Sequence, residues 1–292
     1  MKKIGCLEIA GFQFELNSTC ELPISLDVGF QHFISKEDKV TDRTIIVHNE
    51  IIERPLHAFL AYEAKQENNL LWQIFQSEDL LFIELYKPDS HHIQQKATYS
   101  SKTKTWNVYC QAVTNDDEKQ SLEPLAYPLA PLMWYYLTTE EDLIMIHASG
   151  ISLNGKGRLF SGFSGVGKST LAELWKKEGA TVINDDRLLI RIMPDGSIRM
   201  YNTPMPYIDT SKQAELQHIY LPFHSKENSY ETLSGVKGLT HVMAFCIQHG
   251  YYQQAILHHM AVIEKLMNFC SIAKIGVVPT TEICSFLIQH EV

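Results

Sequence analysis

Gly162-Phe163-Ser164-Gly165-Val166-Gly167-Lys168-Ser169, followed by Thr170, is the stretch from which the rest of the chain is read. Glycines at its first, fourth and sixth positions and a Lys-Ser pair at its end make the phosphate-binding P-loop, or Walker A, pattern. Each position has a physical reason. Glycines let the backbone turn tightly and bring its N–H groups close to an anion. Lys168 supplies a point charge for the β- and γ-phosphates, and the Ser169 hydroxyl reaches a Mg²⁺ ion. The helix that follows adds its positive N-terminal end. Residues 162–170 are therefore the expected nucleotide-binding segment, with ATP and Mg²⁺ as its ligands.

The flanks fit that reading. Arg158 to Ser161 is a short apolar run suited to a strand. Leu171, Leu174 and Trp175 recur at helical spacing, and Gly179 is placed to end that helix. The order is strand, glycine loop, helix. An ordinary glycine-rich turn would explain the glycines but gives no reason for Lys-Ser at the helix start.

The 292 residues are enough for one large or two modest domains, each with a core. Apolar residues make up 45% and charged residues 20%, as expected of a globular protein. The net charge of −9 and the lack of any basic run argue against a nucleic-acid partner. No apolar run approaches the ~20 residues of a membrane helix, and Glu8 interrupts the basic N-terminus before a signal-peptide core forms. A cytoplasmic location without membrane attachment is the expectation. Cys6, Cys20, Cys110, Cys246, Cys270 and Cys284 show no C-x-x-C pairing, so they are expected to be reduced, buried thiols.

Residues 1–122 read as a β-rich domain. Phe12–Leu16, Thr44–Val47, Leu81–Tyr86 and Trp106–Cys110 are short runs of β-branched and aromatic residues, expected to form an antiparallel sheet with hairpins. Polar segments at 35–39 and 114–119 separate them. Residues 123–292 form the expected nucleotide-binding domain, giving an α/β (α+β) chain of two parts. Pro124, Pro128 and Pro131 lead into a short helix around 132–137. Leu143 to Leu153 reads as a buried strand, and Asn154-Gly155-Lys156-Gly157 as a hairpin turn into the strand before the loop. After the loop helix, Thr181–Asp186 is a strand ending in two carboxylates, 188–192 continues extended, and 194–196 turns back into 197–201. From 232 onward the patterning is helical, notably at 238–245 and 255–270.

Asp185 and Asp186 are the second informative feature. A carboxylate at a strand end near a phosphate loop can hold Mg²⁺ or take the proton of an attacking hydroxyl. Neighbouring strand residues point to opposite faces, so both serve one site only where the strand is ending. A solvated turn or an ion pair with Arg187 is the plain alternative. His147 lies in an otherwise apolar run, where a lone histidine is usually a hydrogen-bonded core residue. Among the later histidines, none forms an H-x-x-x-H pair of the zinc-protease kind, and adjacent His258 and His259 diverge by about 100° on a helix.

The segment from His147 through Gly162–Ser169 to Asp185-Asp186 resembles the catalytic core of HPr kinase/phosphorylase, a fold similar to that of ATP-dependent phosphoenolpyruvate carboxykinase. The shared pattern is a histidine 21 residues before the loop lysine and an Asp-Asp pair 17 and 18 residues after it. It covers roughly residues 143–192. The resemblance implies an ATP-dependent kinase acting on a serine hydroxyl of a protein or peptide acceptor. It implies phosphate and metal binding by Lys168 and Ser169, metal binding by Asp186, base catalysis by Asp185 or Asp186, and assistance from His147. It also implies homo-oligomers, since relatives are often hexameric. The family's later signature, with a metal-binding glutamate and a substrate-side arginine, has no equivalent at 200–240, so reverse phosphorylase activity is not expected. Two other readings stand beside this one: a nucleotide-binding regulatory or assembly module, and a small-molecule kinase.

Overall fold

The structure is a computed structural model that describes residues 1–291 apart from 36–39, 68, 78–79, 89, 91, 115–117 and 209. The polar separators expected at 35–39 and 114–119 fall largely outside the described residues. The fold is mixed α/β and rich in strand. It divides into two compact units, Met1–Leu132 with Pro204–Thr210, and Met133–Thr203 with Ser211–Val292. The expected boundary after residue 122 thus lies inside the first unit, which also takes in a short later segment. Among the described residues, no helix is long and apolar enough to cross a membrane. All six cysteines are free; Cys20 is half-buried and the others are buried.

The first unit contains β1 (Lys2–Ile9), β2 (Phe12–Ser18), β3 (Arg43–His48), β4 (Phe59–Gln66), β5 (Asn69–Ser77), β6 (Leu80–Tyr86), β7 (Ile93–Ser100) and β8 (Thr105–Cys110). Among the described residues, the two-residue strands β9 (Val113–Thr114) and β10 (Gln120–Ser121) form a separate two-stranded sheet. The large sheet has the order β1-β2-β3-β8-β7-β6-β5-β4. The expectation of a purely antiparallel sheet needs correction, because β3 runs parallel to both β2 and β8. Parallel neighbours need a crossover of roughly a dozen residues or more. The chain between β2 and β3, and the excursion through β4 to β7, provide them. Strand β7 was not singled out in the sequence because its run Gln94-Gln95-Lys96 is polar. Lys96 is nonetheless buried, and its ammonium lies 3.0 Å from the Glu84 carboxylate on β6.

The boundary between the units falls within α1 (Leu129–Thr138). The second unit continues with β11 (Leu143–Leu153), β12 (Lys156–Ser161), α2 (Lys168–Lys177), β13 (Thr181–Asn184), β14 (Arg187–Ile192), β15 (Ile198–Tyr201) and β16 (Gln213–His224). It ends with β17 (Ser229–Thr232), α3 (Gly235–Met243), α4 (Gln253–Leu266), β18 (Ser271–Val277) and α5 (Glu282–His290). The strand order is β12-β11-β14-β15-β16-β18-β17, with β13 beside β11 and a further parallel pairing of β12 with β16. Strands β12, β11, β14, β15 and β16 therefore form a closed ring of pairings. The helical patterning read at 238–245 and 255–270 corresponds to α3 and α4, while β18, between α4 and α5 and parallel to β16, interrupts the helical reading of the region beyond 232.

Alternation along the strands divides the core in two. Ile144, Ile146, Leu159 and Ile219 pack with Val242 of α3 and with Val262, Ile263 and Leu266 of α4. Phe160, Tyr220, Ala273 and Ile275 pack with Leu171 and Trp175 of α2 and with Ile283 and Leu287 of α5. A buried ion pair completes the second layer. Arg158 of β12 donates through Nε and Nη2 to the two carboxylate oxygens of Glu291, each at 2.5 Å, and both side chains are 3% exposed. The guanidinium lies 4.5 Å from the centre of the Trp175 ring, and the Tyr220 hydroxyl donates to Glu291 at 2.8 Å.

Candidate active site

Asn154 and Gly155 both have positive φ, at 53° and 79°. This two-residue turn suits the right-handed twist of a hairpin. It sets β12 antiparallel to β11, from Leu153↔Lys156 to Ala148↔Ser161. The end of β12, where the glycine loop starts, therefore lies next to His147. The Ser161 hydroxyl donates to the His147 carbonyl at 2.9 Å.

Gly165 and Gly167 have φ of 79° and 96°, the left-handed region that glycine alone enters without strain. Gly167 is the N-cap of α2, and Lys168 is the first residue of the helix. The first turn of α2 carries no acidic residue, so its positive end is left for an outside anion. The Lys168 side chain folds back instead of reaching outward. Its ammonium donates to the carbonyls of Gly162 at 2.9 Å and Phe163 at 3.1 Å, and the residue is 8% exposed. Burial lowers its pKa from the usual lysine value, and the charge of Asp185 opposes that shift. Ser164, Gly165, Ser169 and Thr170 are exposed, while Val166 is half-buried. The exposed Phe163 ring meets the edge of Phe245 at 5.1 Å. Phe245 is held beside β11, since its carbonyl accepts the His147 N–H at 3.2 Å.

The two aspartates occupy the bend between β13, which ends at Asn184, and β14, which begins at Arg187. The Asn184 side-chain amide closes the bend by donating to the Arg187 carbonyl at 2.6 Å. Both strands pair with β11, with Gly150 opposite Asn184 and His147 opposite Arg187. The intervening residues fall into step: Ala148 N–H donates to the Asp186 carbonyl at 3.0 Å, and the Ser149 hydroxyl donates to Asp185 Oδ1. His147 Nδ1 lies 3.3 Å from Asp186 Oδ1, and Arg187 Nε lies 3.5 Å from Asp186 Oδ2.

The His147 side chain is half exposed and faces Asp186, which sets aside the plain alternative of a buried core histidine. The structure brings His147 to Asp186 and sets Asp185 within electrostatic reach of Lys168. Ser169 and Thr170 stand exposed on the first turn of α2. Sequence reasoning missed Ser149, Asn184 and Phe245. Ser149 carried one signal, its two-residue spacing from His147, which puts both on one face of β11. The pairing with β13 and β14 that sets it against Asp185 was not visible.

Among the described residues, no cluster of three or more His, Cys, Asp or Glu side chains is arranged to hold a metal ion. Mg²⁺ does not need one. It keeps several waters and binds through one or two protein oxygens together with substrate phosphates. A serine hydroxyl and a carboxylate are oxygen donors of the kind it takes.

No protein-family model matches the chain, and no curated protein matches its sequence. Among solved structures, the Hpr(Ser) kinase/phosphatase from Coxiella burnetii is similar over 50% of this chain and 94% of its own. The sequence identity is 11% and the TM-score 0.32, a likeness so distant that it carries no functional inference.

Proposed function

We propose that the chain is an ATP-dependent kinase that transfers a phosphoryl group to a hydroxyl, of the serine type, on a protein or peptide acceptor. One observation supports this above the others. The glycine loop leaves β12 next to His147 of β11, both aspartates lie in the bend opposite residues 148 and 149 of that strand, and Asp185 acts electrostatically on Lys168. In this reading the N–H groups of residues 163–170 cradle the triphosphate, where fixed dipoles need no reorganisation as charge develops. Lys168 exchanges the Gly162 and Phe163 carbonyls for phosphate oxygens.

Asp185, the carboxylate that acts on Lys168, belongs to the phosphate side. With Ser169 it supplies the oxygens for Mg²⁺, which when bound neutralises phosphate charge. This departs from the metal-binding role expected of Asp186. Asp186 already pairs with His147 and Arg187, and the Asp186–His147 pair suits acceptance of the hydroxyl proton. An aspartate on Nδ1 orients the imidazole and leaves Nε2 to face the acceptor.

The test is transfer from γ-labelled ATP with Mg²⁺ to serine-containing acceptors. Lys168→Ala is expected to lower transfer about 100- to 1000-fold, the cost of losing one preorganised charge donor. Asp185→Asn and Asp186→Asn should also abolish transfer, with melting temperatures near that of the parent. Undiminished transfer in these variants overturns the proposal. Tight nucleotide binding without transfer to any acceptor would favour a regulatory or assembly module instead.

A further inference from the structure

We infer that Ser149 is a positioning residue, whose hydroxyl fixes Asp185 so that one carboxylate oxygen is presented to the metal–nucleotide complex. The inference rests on the kinase reading of the site.

Ser149 is 1% exposed. A hydroxyl buried that deeply is costly unless it is hydrogen-bonded. Its bond goes to Asp185 Oδ1, in a bend that belongs to neither strand ladder. The strand register makes this contact, because Gly150↔Asn184 and His147↔Arg187 leave Ser149 opposite Asp185. The backbone beside it is tightly held. A Cβ added at Gly150 would come within 2.9 Å of a Leu188 methyl and 3.1 Å of the Met200 sulfur.

Asp185 is itself exposed. Without an anchor its side chain would sample several rotamers, and ordering it would cost binding free energy. With Oδ1 held by Ser149, Oδ2 is the oxygen left for a ligand. His147 and Ser149 sit two residues apart on one face of β11, so a single strand holds both aspartates, one by an imidazole and one by a hydroxyl. Groups that orient a metal-binding carboxylate typically affect metal affinity 10- to 100-fold.

The experiment measures Mn²⁺ binding in the presence of ADP by electron paramagnetic resonance, on the full chain and its variants, with thermal melting alongside. Ser149→Ala is expected to weaken Mn²⁺ binding about 10-fold, leave metal-free ADP binding unchanged, and lower kcat more than KM for ATP. Ser149→Thr, which keeps the hydroxyl, should recover most of the loss. If the alanine variant does not fold, Ser149→Cys carries the same expectation as a weaker donor of similar size. Parent-like Mn²⁺ binding in a variant that only melts lower overturns the inference and leaves the kinase reading intact. Absence of Mn²⁺–ADP binding in the parent protein overturns both.

Discussion

Gly167 and Gly155 share a left-handed backbone, and a Cβ added at either would meet no atom within 4 Å. An alanine at either position therefore brings backbone strain and no collision, worth about 1–2 kcal/mol. The two differ in what the strain disturbs. Gly155 lies in the hairpin turn, whereas Gly167 caps α2 and sets the direction of the loop N–H groups. Gly167→Ala should lower both the urea midpoint and ATP affinity, and Gly155→Ala the urea midpoint alone. Equal loss of ATP affinity in both would show that the effect is one of global stability. The residue types of the loop were legible because each performs a local task. The setting of His147 was not. It depends on β11 pairing with β14 along its first half and with β12 and β13 along its second, which an apolar run does not disclose.

Strands and helices with their own punctuation were readable, and those fixed by distant partners were not. Asn154-Gly155 marks the β11–β12 hairpin, Gly179 ends α2, and the Asp-Asp pair stands just past β13. By contrast, β18 follows α4 after only a short turn of Met267, Asn268, Phe269 and Cys270, and its place is set between β16 and β17. Ile272, Ile275 and Val277 suit a strand, but a run this short does not disclose its partners. The parallel placement of β3 has the same origin. The link from α5 to β12 is also invisible in sequence, since Arg158 and Glu291 are far apart along the chain. Burial pushes the Glu291 carboxyl up, but the hydrogen bonds from Arg158 and Tyr220 outweigh it and hold the pKa below the usual glutamate value. Replacing one partner leaves the other charge buried and unpaired. Glu291→Gln is expected to cost about 3 kcal/mol in urea unfolding, and joint replacement by Arg158→Met and Glu291→Leu to recover most of it. A loss well under 1 kcal/mol for Glu291→Gln would mean that water reaches the pair.

The second unit as a whole carries a dependence on acid. Burial pushes the pKa of both His249 and His259 down to about 4. His259 lies between Thr138 and Gln248, with Nε2 2.8 Å from the Thr138 hydroxyl, and the His249 ring stacks on Tyr135 at 4.0 Å. In the unfolded chain both histidines take up a proton near pH 6.5, well before the folded chain does. Their neutral-form stabilisation is therefore whole above about pH 6.5 and drains away as the pH falls toward 4, by about 3 kcal/mol each. Melting temperature should drop across that window, and His259→Gln should make the drop shallower. An unchanged slope in the variant would exclude His259 as a source. The ring of strand pairings has a different consequence for the same unit. Strand β12, which delivers the chain into the glycine loop, is hydrogen-bonded on both sides, to β11 and to β16. It has no free edge along which to peel, so β12 itself is expected to open only when the sheet does. The strand that feeds the site is thus kept or lost together with the sheet, whatever the loop beyond it does.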